Sequence, residues 1–208
     1  MAPSSTSLRF VDEVVDLTTV FDAGVNVVAL RRAAPKPLLE EGVRAAGEVG
    51  FRRLFMTESS AAEHNVSAEL QGWPHLAADT RFWVEVLSEL TGATHVGVRL
   101  TRIEEAMCPR FHVDGVTVRL VTTYVGLGSE FVSSEQVDRT RLGHAASGMT
   151  DATSGLLRTS DCVRSAQAFD VVLLKGEAWP GNKGRGAVHR SPAASAAAPR
   201  LVLTLDAL

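Results

Sequence analysis

The sequence has little of what defines several common protein classes. Its two cysteines, Cys108 and Cys162, are too few for a disulfide framework and form no Cys-x-x-Cys pair, although a single bridge between them stays open. The net charge is only −3, without a long basic run, so we expect no nucleic-acid partner. No stretch approaches the roughly 20 apolar residues that cross a bilayer, and the start, MAPSSTSLRF, lacks an apolar signal core. These absences predict a cytoplasmic protein with no membrane partner.

The apolar residues that are present suffice for a folded core. They make up 45% of the 208 residues, which excludes global disorder and suits one domain, or one domain with an elaborate flank. Apolar residues at helical spacing predict helices over 37–48 and 79–90, the second with Asp79 as its N-cap. The stretch from Ser60 to Glu63 has the form of a capping box and predicts the start of a short helix.

Strand-like patterns dominate the second half of the chain. Val96, Val98 and Leu100 alternate with small or polar residues, as in a half-buried strand. A short helix is predicted over 160–168, and the other strand-like runs are 24–30, 51–56, 109–114, 116–124, 170–175 and 200–206. A helical first half and a strand-rich second half predict an α+β fold. In this interpretation, residues 1–94 form a helix-rich flank packed on a core of residues 95–208, built around one closed or sandwiched sheet.

A His-x-Asp pair lies in the stretch MCPRFHVDGVTVRLVTTY, at His112 and Asp114. Side chains two positions apart on a strand point to the same face, so the imidazole and the carboxylate should lie side by side. Together they supply two of the three ligands of a 2-His-1-carboxylate metal site. The third ligand would be a distant histidine, and His189, in GAVHRSP, is the candidate. The other histidines have no ligand-like partner at a useful spacing; they are His64, His75, His95 and His144.

An arginine follows the distal histidine and opens another alternating run, RLVLTLD. Arg200, Val202 and Thr204 share one face of this predicted strand, and leucines occupy the other face. If the leucines pack against the helices, Arg200 points into the core of the sheet structure. A guanidinium group there suits two-pronged binding of a carboxylate.

His112-x-Asp114, then His189, then Arg200 resembles the pattern of the iron(II)/2-oxoglutarate-dependent dioxygenase superfamily. The resemblance covers about residues 95–206 and implies a double-stranded β-helix, or jelly roll, with His-x-Asp after an early core strand. The stretches CPRFHVD, RLVTTY, GAVHRSP and RLVLTLD also look like a bacterial family known only as a domain of unknown function. That second resemblance covers most of the chain and implies no particular activity.

The superfamily resemblance implies a chemistry and a set of roles. His112, Asp114 and His189 would bind Fe(II), and Arg200 would bind the distal carboxylate of 2-oxoglutarate. Further contacts with the oxo-acid are expected from three residues of the run 116–124, namely Arg119, Thr123 and Tyr124. In that superfamily the oxo-acid loses CO₂ to give succinate while a C–H bond of a substrate is oxidised. The sequence does not identify that substrate.

Other interpretations of the same residues remain open at this point. His112 is alternatively a core histidine hydrogen-bonded to Asp114, and Arg200 is alternatively paired with Asp206 or Asp170. Cys108 precedes His112 by four residues and suggests a Cys/His zinc site. The three predicted ligands also bind Zn²⁺ readily, so a non-catalytic, zinc-handling protein is the rival function. A structural module that binds no metal is the third reading.

Overall fold

Helices and strands alternate in the first half of the chain, and strands prevail in the second, in a computed structural model that describes residues 7–143 and 148–208. The α-helices are α1 (Lys36–Gly47), α2 (Ala62–Glu69) and α3 (Pro74–Thr91). The strands are β1 (Leu8–Val11), β2 (Val27–Leu30), β3 (Arg52–Glu58), β4 (His95–Ile103), β5 (Val118–Val125), β6 (Glu130–Val132), β7 (Arg164–Ser165), β8 (Val171–Lys175), β9 (Val188–Arg190) and β10 (Arg200–Ala207). The fold is therefore α+β, as the sequence predicts.

Seven of these strands form one large sheet in the order β1-β2-β8-β5-β10-β4-β3. All neighbours in it are antiparallel except β1 and β2, which run parallel. Strands from before and after position 95 contribute to this sheet, because β1, β2 and β3 precede that position and the other four strands begin at or after it. A second, smaller sheet has the order β7-β6-β9.

One face of the large sheet is covered by the helices. Leu201, Leu203 and Leu205 of β10 are fully buried there, together with Trp83 and Leu87 of α3. Full burial of side chains of this size stabilises the fold by roughly 1.5–3 kcal/mol each. The alternation read from RLVLTLD is thus the packing pattern of β10.

The other face of the large sheet meets the small sheet. Phe131, at the centre of β6, is fully buried and packs against Val121 of β5, Val172 of β8 and Val202 of β10. Side chains of directly paired residues on neighbouring strands point to the same side of a sheet. Phe131 is paired with His189 of β9, so His189 also points toward the large sheet.

The structure corrects several local predictions. Residues 109–114 do not form the predicted strand, and within this run only His112 makes a β-bridge. One reason is that Pro109 has no backbone N–H to donate to a neighbouring strand. Helix α3 begins at Pro74 rather than at Asp79, since proline favours the first helical turn. The expected capping box is wrong, because α2 begins at Ala62 and Ala61 occupies the cap position. The expected helix over 160–168 is only a short 3₁₀ turn, Ser160–Cys162, followed by β7.

The bridge between Cys108 and Cys162 that the sequence leaves open is not formed, because both residues are free thiols. The predicted isolated histidine His144 lies outside the described residues, as do the first six residues. Among the described residues, no helix combines the length and the apolar character that a transmembrane segment needs.

Candidate metal centre

The two predicted histidine ligands are neighbours through their backbones. His112 and His189 form an isolated antiparallel bridge, in which each backbone N–H donates to the carbonyl of the other at 3.0 Å. This bridge adds His112 to the outer edge of β9. Directly paired residues point to one side, so both imidazoles face the large sheet, with ring centroids 4.4 Å apart.

Asp114 brings its carboxylate to these two rings. His112 Nε2 lies 3.6 Å from Asp114 Oδ1, and His189 Nε2 lies 3.3 Å from Asp114 Oδ2. One ligand atom from each of the three residues lies within 4.8 Å of the others. Although 109–114 is not a strand, the structure brings together the three side chains that the sequence singles out.

The hydrogen bonds of the rings leave the right nitrogen atoms free for a metal. His112 Nδ1 lies 3.0 Å from the carbonyl oxygen of Arg110, and His189 Nδ1 lies 3.1 Å from that of Ala187. A carbonyl only accepts, so each Nδ1 carries the proton and donates it. The Nε2 atom of each ring points toward Asp114. Metal-binding histidines are typically held in this way.

The electrostatics of the cluster also suit a cation. Burial opposes ionisation of Asp114, but contacts with His112, His189 and Arg119 outweigh it and hold the pKa of the carboxyl well below its usual range. The contact with Asp114 in turn raises the pKa of His112. A carboxylate that stays charged beside two imidazole nitrogens is the donor set of a 2-His-1-carboxylate site. The residues present therefore fit Fe(II), and they also fit Zn²⁺.

Arg119 is engaged by two carboxylates. Its Nη1 donates to Asp114 Oδ2 at 2.6 Å, and its Nε and Nη2 donate to Asp206 at 2.6 and 3.1 Å. Arg99 Nη2 donates to the same Asp206 at 2.8 Å. The sequence offered Arg119 as a contact for the oxo-acid, but in the structure its nearest partners are these two side chains.

Arg200 is a buried cation of a different kind, with only 2% of its surface exposed. Its guanidinium donates to the Leu127 carbonyl at 2.5 Å, to Ser191 Oγ at 2.7 Å and to Thr123 Oγ1 at 3.3 Å. Among the described residues, no carboxylate lies within 4.0 Å of it. Burial lowers the pKa of Arg200 to about 10, still well above neutrality. Neither Asp206 nor Asp170 is its partner.

His112, His189 and Arg200 line one cavity of about 180 Å³ between the two sheets. The large sheet supplies Arg119 and Val121 from β5, and Arg200, Val202 and Thr204 from β10. The bridged histidines close the opposite wall, and Met107 and Cys108 also line the cavity. Cys108 is exposed and lies outside the His112–Asp114–His189 cluster, so the structure does not form the Cys/His site considered above.

The strand β5 separates the three residues predicted to help bind the acid. Arg119 and Thr123 lie on the face of Val121, toward the small sheet. Tyr124 is buried on the helix side, where its hydroxyl donates to Asp79 Oδ2 at 2.7 Å. The register with β10 also shifts at this point, since Val202 pairs with Thr123 and Leu201 with Val125. This bulge directs both Tyr124 and Val125 toward Gly42 of α1.

Sequence reasoning missed some partners of these residues. Ser191, which holds Arg200, lies two positions after His189 in HRSP, and strand alternation places the two on one side. That signal was available. The contact between Arg119 and Asp206 depends on the pairing of β5 with β10, in which these two residues are direct partners. No local pattern marks it.

Three solved structures with a similar fold are dioxygenases. The rice dioxygenase for auxin oxidation matches with a TM-score of 0.52 and 14% identity, over 97% of this chain and 83% of that one. Dioxygenase for auxin oxidation 1 of Arabidopsis thaliana, in a binary complex with 2-oxoglutarate, matches with a TM-score of 0.53 and 8% identity, over 97% and 92%. The Fe(II)/α-ketoglutarate-dependent dioxygenase TqaL matches with a TM-score of 0.50 and 12% identity, over 93% and 85%. At these identities the likeness concerns the fold alone.

The family comparison covers nearly the whole sequence. No curated protein matches this chain significantly. The model of a family described as protein of unknown function (DUF1826) matches residues 11–206. The chain therefore belongs to the DUF1826 family.

Proposed function

We propose that this protein is an Fe(II)- and 2-oxoglutarate-dependent dioxygenase that oxidises a small or protruding group of a substrate not yet identified. One observation carries the proposal. The two histidines of the His-Asp-His cluster line the same cavity as Arg200, a buried arginine that has no carboxylate within 4.0 Å among the described residues. The likeness in fold to dioxygenases supports it.

In this proposal, Nε2 of His112, Nε2 of His189 and the carboxylate of Asp114 hold the iron. Three protein ligands leave coordination positions open for small molecules. Bound iron would supply the activation of O₂ that couples loss of CO₂ from the oxo-acid to oxidation of a substrate C–H bond. The role of the protein is to hold the reactants together. The apolar side chains of Val121 and Val202, which line the cavity, limit the access of water.

Arg200 would bind the distal carboxylate of 2-oxoglutarate. A guanidinium has five N–H donors, and three are committed to Leu127, Ser191 and Thr123. The two that are left, one on Nη1 and one on Nη2, suit the two oxygens of one carboxylate. An acid bound there would also neutralise a buried charge, which makes its binding more favourable. Thr123 takes part by orienting Arg200.

The proposal also assigns the protein a double-stranded β-helix fold, with the active site between the large and the small sheet. The described part of the predicted flank, residues 7–94, is included in the same structural unit, because β1, β2 and β3 complete the large sheet beside the strands that follow residue 95. Tyr124 is left out of the binding site, since it faces α1.

The rival function is that of a non-catalytic zinc-handling protein, which needs the same three ligands. Such a protein has no use for a buried, unneutralised arginine beside its metal. Arg200 therefore favours the oxygenase, because burying a cation without an anionic partner is unfavourable unless a ligand compensates for it.

The test is anaerobic addition of Fe(II) to the purified protein, followed by 2-oxoglutarate. We expect the weak visible charge-transfer band of an iron-chelated oxo-acid, absent in His112→Ala and weakened in Arg200→Leu. The matched control is His95→Ala, because His95 is a half-exposed histidine that pairs with Glu58 and belongs neither to the cluster nor to the cavity lining. Metal binding without oxo-acid binding would favour the zinc-handling function, and binding of neither would contradict both.

A further inference from the structure

A line of alternating charges runs from the metal cluster across three strands. It consists of Asp114, Arg119 at the start of β5, Asp206 near the end of β10, and Arg99 on β4. Arg119 and Asp206 are direct cross-strand partners, and their contact uses both carboxylate oxygens of Asp206. Their side chains are less than one-fifth exposed, so this paired contact is shielded from solvent.

Asp114 has three polar side chains beside its carboxylate. The Nε2 atoms of His112 and His189 lie 3.6 and 3.3 Å from its oxygens, which is longer than a strong hydrogen bond to a charged group. The contact from Arg119 Nη1 to Oδ2, at 2.6 Å, is the shortest of the three and is the one that holds the carboxylate in place between the two rings.

We propose that Arg119 is a positioning residue for the metal site, held in turn by Asp206. By donating to Oδ2, Arg119 leaves Oδ1 of Asp114 as the oxygen for the metal, so that this carboxylate binds through one atom. Asp206 acts only through Arg119, which it fixes by a two-pronged contact. This inference rests on the proposed metal site and adds a role to residues that the resemblance assigned differently or not at all.

The sign of one effect separates positioning from simple electrostatics. Arg119 is a cation next to a site for a cation, so its removal should strengthen metal binding if only charge mattered. If Arg119 positions Asp114, its removal should weaken metal binding. Partners that orient metal ligands contribute about 10–100-fold to metal affinity, and this sets the expected size.

The experiment is calorimetric titration of the whole protein with Mn(II), which does not require turnover. Arg119→Met should raise the Mn(II) dissociation constant about 10–100-fold, and Asp206→Asn should raise it less. The double variant should bind no more weakly than Arg119→Met alone, because Asp206 has no route to the metal without Arg119. Arg119→Lys keeps the charge and a donor group, without the fixed fork of the guanidinium, and should recover part of the affinity.

Arg99→Met is the matched control, since it removes the same charge from the same line without touching Asp114. We expect its Mn(II) affinity to equal or slightly exceed that of the unaltered protein. Circular dichroism shows whether each variant is folded. If Arg119→Met does not fold, Asp206→Asn takes its place in the comparison. Unchanged or tighter binding in Arg119→Met, or in Asp206→Asn in its place, would overturn the inference while leaving the proposed function intact. Absence of Mn(II) binding by the unaltered protein would overturn both.

Discussion

The two faces of β10 place different chemistry on either side of the large sheet. On the helix side, Leu201, Leu203 and Leu205 are fully buried in the large apolar core. On the other side, the same strand carries Arg200, which lines the cavity, and Asp206, which contacts Arg119. Apolar burial stabilises a fold, whereas buried charge costs stability unless something compensates for it.

This contrast assigns different tasks to the two faces. The helix-facing side accounts for stability and could be replaced by other apolar residues of the same volume. The cavity beside this second face is lined by four arginines, from both sheets, and three of them have carboxylate partners within the protein. The fourth, Arg200, has none among the described residues and is the group whose partner we expect to be a ligand.

The largest expected effect is on metal binding when a cavity-side ligand is removed. His112→Ala should weaken Mn(II) binding more than about 100-fold, beyond the 10–100-fold that partners of metal ligands contribute. Its free energy of unfolding should change by less than about 1 kcal/mol, because the side chain is 30% exposed. Calorimetry and urea denaturation measure the two quantities. An unchanged Mn(II) affinity would mean that the cluster is structural.

On the helix-facing side we expect the opposite result. Leu203→Ala removes a fully buried side chain and should lower the free energy of unfolding by about 2–5 kcal/mol. Its Mn(II) affinity, measured where the protein is folded, should stay within about twofold. The neighbouring Thr204→Ala, on the cavity side, is the control and should cost about 1 kcal/mol or less. A larger loss for Thr204→Ala than for Leu203→Ala would break the comparison between the faces.

Arg200 sharpens the comparison, because its removal should affect the ligand and not the fold. Arg200→Leu should lower 2-oxoglutarate affinity about 10–100-fold, the size of a charge-assisted pair of hydrogen bonds. Its free energy of unfolding should stay the same or rise, because the variant removes a buried cation that has no ion-pair partner in the part of the chain that the structure describes. Arg190→Leu is the contrasting variant, because it removes the cation that pairs with Glu130 and Asp151. It should lower the free energy of unfolding by about 1–3 kcal/mol. Equal destabilisation by both would show that Arg200 is structural.

The smallest effect is expected for Tyr124, the only tyrosine of the chain. Tyr124→Phe removes a hydrogen bond to Asp79, whose carboxylate also pairs with Arg32 at 2.6 Å. We expect a loss of about 1 kcal/mol in the free energy of unfolding and no change in 2-oxoglutarate affinity. Urea denaturation and calorimetry test this. A fall in that affinity would return Tyr124 to the binding site.

The parts of the fold that follow from local patterns could be predicted from the sequence. Alternation in RLVLTLD identifies β10 and its two faces, and helical spacing identifies α1 almost to the residue. The start of α3 was missed because Asp79 has the chemistry of an N-cap. In the structure the partners of the Asp79 carboxylate are Arg32 and Tyr124, which are distant in sequence and come near only in the fold.

The candidate site shows the same limit. His112, Asp114, His189 and Arg200 were selected by residue type and order, and the structure brings the first three into one cluster. The backbone bridge that joins His112 to β9 has no sequence signal, because His112 lies outside any regular strand. The bulge that turns Tyr124 away, and the register that joins Arg119 to Asp206, are set by strand pairing. A one-residue difference in register would exchange the faces.

The most direct measurement is a crystal structure of the protein grown anaerobically with Mn(II) and 2-oxoglutarate. The account predicts an anomalous peak bonded to Nε2 of His112, Nε2 of His189 and Oδ1 of Asp114, with a carboxylate of the oxo-acid on Arg200. Metal at any other place, or an oxo-acid bound outside the cavity while Arg200 keeps only its contacts to Leu127, Ser191 and Thr123, would contradict it.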